Sequence, residues 1–192
     1  MAFELIAIGA SLGGMNAIGR VLEALPDGFE IPVVVAQHRA AATAADEMLE
    51  SALARRSKLE VVPATDKEPL DPGRVYVAPA DYHLLVERGH LALSADAPVE
   101  FSRPSIDVLF ESAADSYGPR AVGVLLTGAN QDGAAGLARI AAAGGFTVAQ
   151  DPETAERRDM PAAAIERGAV RRVLPLERVG PFLAELRSGV SR

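Results

Sequence analysis

The chain has 192 residues, of which 49% are hydrophobic and 23% charged, with a formal net charge of −7 and no cysteine. That length suits one domain with a sizeable core, the charge argues against a nucleic-acid partner held through phosphates, and the missing thiols exclude a disulfide framework, a thiolate nucleophile and a cysteine metal site. No apolar stretch approaches the ~20 residues of a membrane helix, and no basic-then-apolar segment marks a signal peptide, so a cytoplasmic protein is expected.

Strand and helix signals then alternate. An apolar run over 3–8 is followed by a helical pattern over 14–25, and a second run over 31–36 by a helical pattern over 43–56. Strands are predicted at 59–62 and 74–78, with Asp71-Pro72-Gly73 a turn and not a domain boundary. The short runs at 84–87 and 91–93, around Arg88-Gly89-His90, predict an inserted β-hairpin. Helices over 105–116, 133–143, 161–166 and 176–188 then alternate with strands over 121–126, 146–149 and 172–174. Val33-Val34-Val35 and Val122-Gly123-Val124-Leu125-Leu126 are uninterrupted apolar runs, as expected of strands covered on both faces in a parallel sheet. The expected architecture is a single α/β domain over 1–192: a doubly wound, mostly parallel sheet with helices on both faces and a hairpin insertion.

Chemistry concentrates where strands end. Gly9-Ala10-Ser11-Leu12-Gly13 matches the G-x-S-x-G nucleophile pattern in the strand–turn–helix setting that pattern requires. Three readings of Ser11 stand side by side: nucleophile, phosphate loop and plain helix cap. A dinucleotide site wants an acidic residue at the end of the second strand. Gln37-His38 stands there instead, which disfavours the nucleotide reading and offers Ser11 a base. The third strand-end loop, Thr127-Gly128-Ala129-Asn130-Gln131-Asp132-Gly133, brings an acid to the same rim. Asp132 could hold the Nδ1 proton of His38, or cap the helix that follows. His83 could sit near the rim, His90 is expected to be exposed in the hairpin turn, and three scattered histidines lack metal-ligand spacing, so no metal or cofactor is expected. Ser105 is a natural helix cap, and Arg103 could meet a substrate carboxylate or a surface acid.

These motifs resemble the catalytic domain of the chemotaxis-receptor protein-glutamate methylesterases, the CheB family. The family's Gly-Ala-Ser-Thr-Gly-Gly turn corresponds to Gly9 through Gly14, with Leu12 for threonine. Its Gln-His pair corresponds to Gln37-His38, its Ala-Pro-Gly-Asp-x-His-Leu segment to residues 78–84, and its Arg-Pro-Ser helix start to Arg103-Pro104-Ser105. Its Leu-Thr-Gly-Met-Gly-x-Asp-Gly-Ala loop corresponds to residues 126–134, with Ala129-Asn130 for Met-Gly. The resemblance implies a serine esterase that hydrolyses glutamyl methyl esters on cytoplasmic chemoreceptor helices, with methanol as product and glutamine deamidation as a second activity. It implies Ser11 as nucleophile, His38 as base and Asp132 as orienting acid. Leu12, Gly13, Ala129, Asn130 and Arg103 are then expected around the oxyanion and substrate pocket. With the first strand at residue 3, no N-terminal receiver domain is expected. The replacements at Leu12 and Ala129-Asn130 raise the alternative of a weakened or silent binding module on the same fold, because one lost oxyanion donor is worth about 2.7–4 kcal/mol.

Overall fold

Seven strands, all parallel, make the sheet that the apolar runs predict. The computed structural model describes residues 2–39 and 46–188. In chain order the elements are β1 (Ala2–Phe3), β2 (Leu5–Ala10), α1 (Gly14–Glu23), β3 (Val33–Gln37), α2 (Asp46–Ala54), β4 (Glu60–Pro63), β5 (Arg74–Val77), β6 (His83–Glu87) and β7 (His90–Ser94). The second half comprises α3 (Ile106–Tyr117), a short 3-10 turn, β8 (Ala121–Leu125), α4 (Ala134–Ala142), β9 (Phe146–Gln150), α5 (Asp159–Glu166), β10 (Arg172–Leu174), α6 (Leu176–Ala184) and β11 (Arg187–Ser188). The start of the helix predicted over 43–56 lies outside the described residues.

The large sheet runs β10-β9-β8-β2-β3-β5-β4. Alternation along each strand divides its apolar side chains between two cores. Ile6, Ile8, Val33, Val35, Val122 and Val124 pack with α1, α2 and α6 on one face. Leu5, Ala7, Val34, Ala36 and Tyr76 pack with α3, α4, α5 and the β6–β7 hairpin on the other. The hairpin forms its own antiparallel sheet, as predicted.

Two details differ from expectation. The first strand breaks at Glu4, and β1 leaves the main sheet to pair in parallel with β11. The last helix stops at Ala184 and does not reach 188. The Glu185 and Leu186 amides close three-residue bonds to Phe182 and Leu183, which ends the helix, and Phe3 offers the chain a strand partner at Ser188.

β2 leads through α1 to β3 on one side, whereas the chain returns on its other side at β8. The winding therefore reverses at β2, and the carboxyl ends of β8, β2 and β3 open on the crevice where open α/β sheets bind ligands. Register fixes those ends together: Ala10 lies opposite Gln37, and Gly9 opposite Leu125.

Candidate active site

Ser11 follows β2, but it does not cap α1. The cap is Gly13, in the left-handed region at φ 80° without a side-chain bond. The Ser11 carbonyl closes the turn by accepting from Gly14 N–H at 2.8 Å, while Ser11 N–H donates to Thr127 O at 2.9 Å. The hydroxyl is thereby left to face His38, with Oγ 3.2 Å from Nδ1.

His38 follows β3, and its N–H donates to Ala10 O at 3.0 Å. The Gln37 amide ties both turns: Nε2 donates to Ser11 O at 2.7 Å and to His38 O at 3.0 Å. That brace needs a glycine at 14, since a Cβ there would lie 2.0 Å from Gln37 Oε1.

Asp132 completes the chain of contacts from the loop after β8. Its Oδ2 is 2.6 Å from His38 Nε2. The contact is therefore through Nε2, and the expectation that Asp132 would hold Nδ1 is corrected. Gln37 and His38 leave β3 so that Nδ1 faces the β2 turn and Nε2 faces the β8 loop. With Nε2–H donating to the carboxylate, Nδ1 presents a lone pair to the Ser11 hydroxyl.

Nor does Asp132 cap the helix that follows it. Its carboxylate sits on the N-terminus of α3, accepting from Ile106 N–H at 2.7 Å, Asp107 N–H at 2.9 Å and Ser105 Oγ at 2.9 Å. Asp107 returns the arrangement, accepting from Gly133 N–H at 2.9 Å and Gly136 N–H at 2.6 Å at the start of α4. Each helix thus has its free amides and positive end met by the other's aspartate. Burial pushes the Asp132 carboxyl up, but the bonds from His38, Ile106 and Asp107 outweigh it and hold the group below the usual carboxylate range. Asp107 receives fewer such bonds. Burial, offset only in part by the Gly136 and Gly133 amides and reinforced by the nearby Asp132 charge, pushes it up to about 6.

Leu12, Gly13, Met15, Asn16, Gln37 and Glu156 join Ser11 and His38 in lining a cleft of about 430 Å³. Leu12 is half-exposed on its wall, and its carbonyl accepts from Thr127 Oγ1 at 3.0 Å. Among the described residues the Leu12 and Gly13 amides have no backbone acceptor, so they remain free at the start of α1.

The other expected pocket residues fare differently. Ala129 is exposed, and neither it nor Asn130 lines this cleft. Asn130 is turned inward upon its own loop, its Oδ1 accepting from Asp132 N–H at 3.3 Å, so it shapes the acid's turn. Arg103 lies on a second, smaller cleft across His38, where its guanidinium donates to the Ala95 and Asp96 carbonyls at 3.0 Å and approaches Asp81 at 3.9 Å. His83 is buried and not at the rim: Nδ1 accepts from Ser105 N–H at 3.2 Å, and Nε2 meets Ala97 O at 3.1 Å. His90 is partly exposed and pairs with Glu87 at 2.9 Å. Ser105 caps α3 as predicted, accepting from Val108 N–H.

Sequence reasoning missed three contributors: the Gln37 amide brace, the Asp107 carboxylate, and Ser102, whose Oγ is 3.4 Å from His38 Nδ1. Asp107 carried a partial signal as an acid in the first turn of a helix, but that pattern points to its own helix and not to α4.

The CheB methylesterase family model matches residues 6–183. The chain belongs to the CheB methylesterase family. A relative from Leptospira interrogans is 45% identical over 187 residues, covering 97% of this chain and 96% of its own length. The protein-glutamate methylesterase/protein-glutamine glutaminase 2 of Anaeromyxobacter dehalogenans is 47% identical over 183 residues, covering 95% of this chain but 53% of that protein. The chain thus spans nearly all of the first relative and about half of the second. The crystal structure of the Thermotoga maritima CheB methylesterase catalytic domain superposes with a TM-score of 0.91 at 32% identity, covering 96% of this chain and 99% of that one. Among the described residues no helix is long and apolar enough to cross a membrane.

Proposed function

We propose that the protein is a serine esterase that hydrolyses glutamyl γ-methyl esters on the cytoplasmic helices of chemoreceptors, acting in the cytoplasm and meeting the membrane only through those receptors. The observation that carries this reading is one chain of contacts, Ser11 Oγ to His38 Nδ1 at 3.2 Å and His38 Nε2 to Asp132 at 2.6 Å. The first distance is at the long end of a hydrogen bond, as apo sites commonly show.

In this mechanism His38 Nδ1 takes the Ser11 proton as Oγ attacks the ester carbonyl carbon. Asp132 stabilises the imidazolium that forms. The tetrahedral oxyanion receives the free Leu12 and Gly13 amides at the positive end of α1. Collapse breaks the carbonyl–methoxy bond, and His38 returns its proton to the departing oxygen, releasing methanol. Water then attacks the acyl-serine, giving its proton to His38, and collapse restores Ser11 and frees the glutamate carboxyl. With glutamine the same steps release ammonia, so deamidation uses the same groups. Leu12 brings no hydroxyl to the oxyanion, so backbone amides alone carry that task.

The test is methanol release from methylated receptor by wild type and Ser11→Ala, paired with labelling by a fluorophosphonate probe in wild type and His38→Ala. Loss of both signals in the variants is expected. Equal methanol release by Ser11→Ala would exclude the mechanism.

A further inference from the structure

Residues 99–102 form a tight turn beside the site. Val99 N–H donates to Ser102 O at 3.1 Å, and Ser102 N–H donates to Val99 O at 2.8 Å. The two central residues, Glu100 and Phe101, have φ of 48° and 61°. Positive φ at both centres is the type I′ pattern, for which Asn-Gly is the favoured pair. Glutamate and phenylalanine both carry a Cβ that opposes the left-handed region, so this turn holds strain at two successive positions. Packing does not compensate it at Phe101, whose ring is completely exposed at 102%. The strained backbone lowers stability and the fully solvated phenylalanine returns no burial to offset it, which points to a use outside the fold.

The location suggests the use. Phe101, Ser102 and Arg103 line the smaller cleft, of about 240 Å³, on one side of His38. Leu12 and Met15, 53% and 51% exposed, line the larger cleft beside Ser11 on the other side. Exposed apolar side chains therefore stand on both banks of the hydroxyl–imidazole pair. An occupant must present an apolar group, the reacting ester and a second apolar group along one face. A helix does this with residues three or four apart. An added strand is disfavoured, because β2, β3 and β8 are interior to the sheet and offer no free edge here.

Resting on the esterase reading above, we propose that Phe101 is a specificity-determining residue, which docks an apolar side chain of a helical substrate one turn from the esterified glutamate. The turn trades backbone strain for a preformed aromatic anchor.

The probe is a synthetic helical peptide carrying one glutamate γ-methyl ester with leucines four residues to either side, followed by methanol release. Phe101→Gly is expected to raise KM about tenfold, the loss of part of one buried aromatic contact, with the effect in KM and not in kcat. Phe101→Leu restores most of the affinity. Replacing the peptide leucines by serine removes the difference between wild type and Phe101→Gly, as a double-mutant cycle requires for two groups in contact. Because glycine adopts positive φ freely, Phe101→Gly should also melt about 2–4 °C higher than wild type. An unchanged KM in Phe101→Gly, with an active wild type, overturns this inference alone, as does a lower melting temperature. A wild type that releases no methanol from either peptide or receptor overturns the esterase reading and this inference with it.

Discussion

Asp132→Asn separates orientation from charge at the site. The carboxylate is fully buried and accepts four bonds, Oδ2 from His38 Nε2 and Ile106 N–H, Oδ1 from Ser105 Oγ and Asp107 N–H. An amide retains only one acceptor oxygen. With its nitrogen at the Oδ2 position, it opposes the Ile106 donor and forces His38 to accept at Nε2, which puts a proton on Nδ1 where the proposed mechanism needs a base. With the nitrogen at the Oδ1 position the tautomer survives, but no anion faces the imidazolium. An ion pair at such a partly buried contact is worth about 4 kcal/mol at an effective dielectric of 20, or about a thousandfold in rate. The wrong tautomer brings the loss to about 10⁴-fold. Either orientation also strands one buried amide, Ile106 or Asp107, at about 1–3 kcal/mol of stability. Because the folded carboxyl titrates below its unfolded value, its contribution is present above the unfolded pKa and is lost as pH falls through the folded one. The variant should lack that acid-limb loss. The assays are kcat by methanol release at pH 7 and thermal melting from pH 2 to 7. A variant within tenfold of wild-type kcat and melting at the same temperature would refute the reasoning.

Three other perturbations address the supports. Asp107→Asn keeps an oxygen for the Gly133 and Gly136 amides while removing a carboxyl that titrates at about 6 in the fold. A raised folded pKa means wild-type stability declines as pH rises from about 4 to about 6 and levels above it; melting curves over that window should be flatter in the variant, and an unchanged slope would exclude the assignment. Gly9→Ala places a Cβ 2.2 Å from Ile106 Cγ2 and 3.2 Å from Phe110 Cζ, so overpacking should cost about 1–3 kcal/mol by urea titration; a wild-type midpoint would show that α3 yields freely. Tyr76→Phe removes a hydroxyl that donates to Pro69 O at 2.9 Å and accepts from Asp71 N–H at 2.8 Å, and should cost about 1–2 kcal/mol in the same titration, with no change expected to count against a shielded bond.

Much of the arrangement was legible because it is local. Apolar runs too continuous for a one-sided sheet, such as Val33-Val34-Val35, declare strands covered on both faces. A glycine-flanked serine, a Gln-His pair and an acid-bearing loop each directly follow such a strand, so parallel pairing alone brings them to one rim. The errors arose where a residue's partner lies far along the chain. Capping the helix that follows was one of two readings of Asp132, and Asp107 drew no reading at all, yet each serves the other's helix, 25 or more residues away. His83 read as a rim residue and is a buried brace for Ser105. The terminal helix overran because the partner that draws Ser188 into a strand is Phe3.

The sequence by itself determined the parallel α/β order, the three strand ends that carry Ser11, His38 and Asp132, and the family, since these depend on hydrophobic period, turn chemistry and motif spacing. Only the tertiary structure decided which imidazole nitrogen meets the acid, which helix each aspartate serves, and that Phe101 stands in solvent beside His38. Those outcomes depend on register and on the packing of α3 against α4, which bring together residues that no local pattern relates.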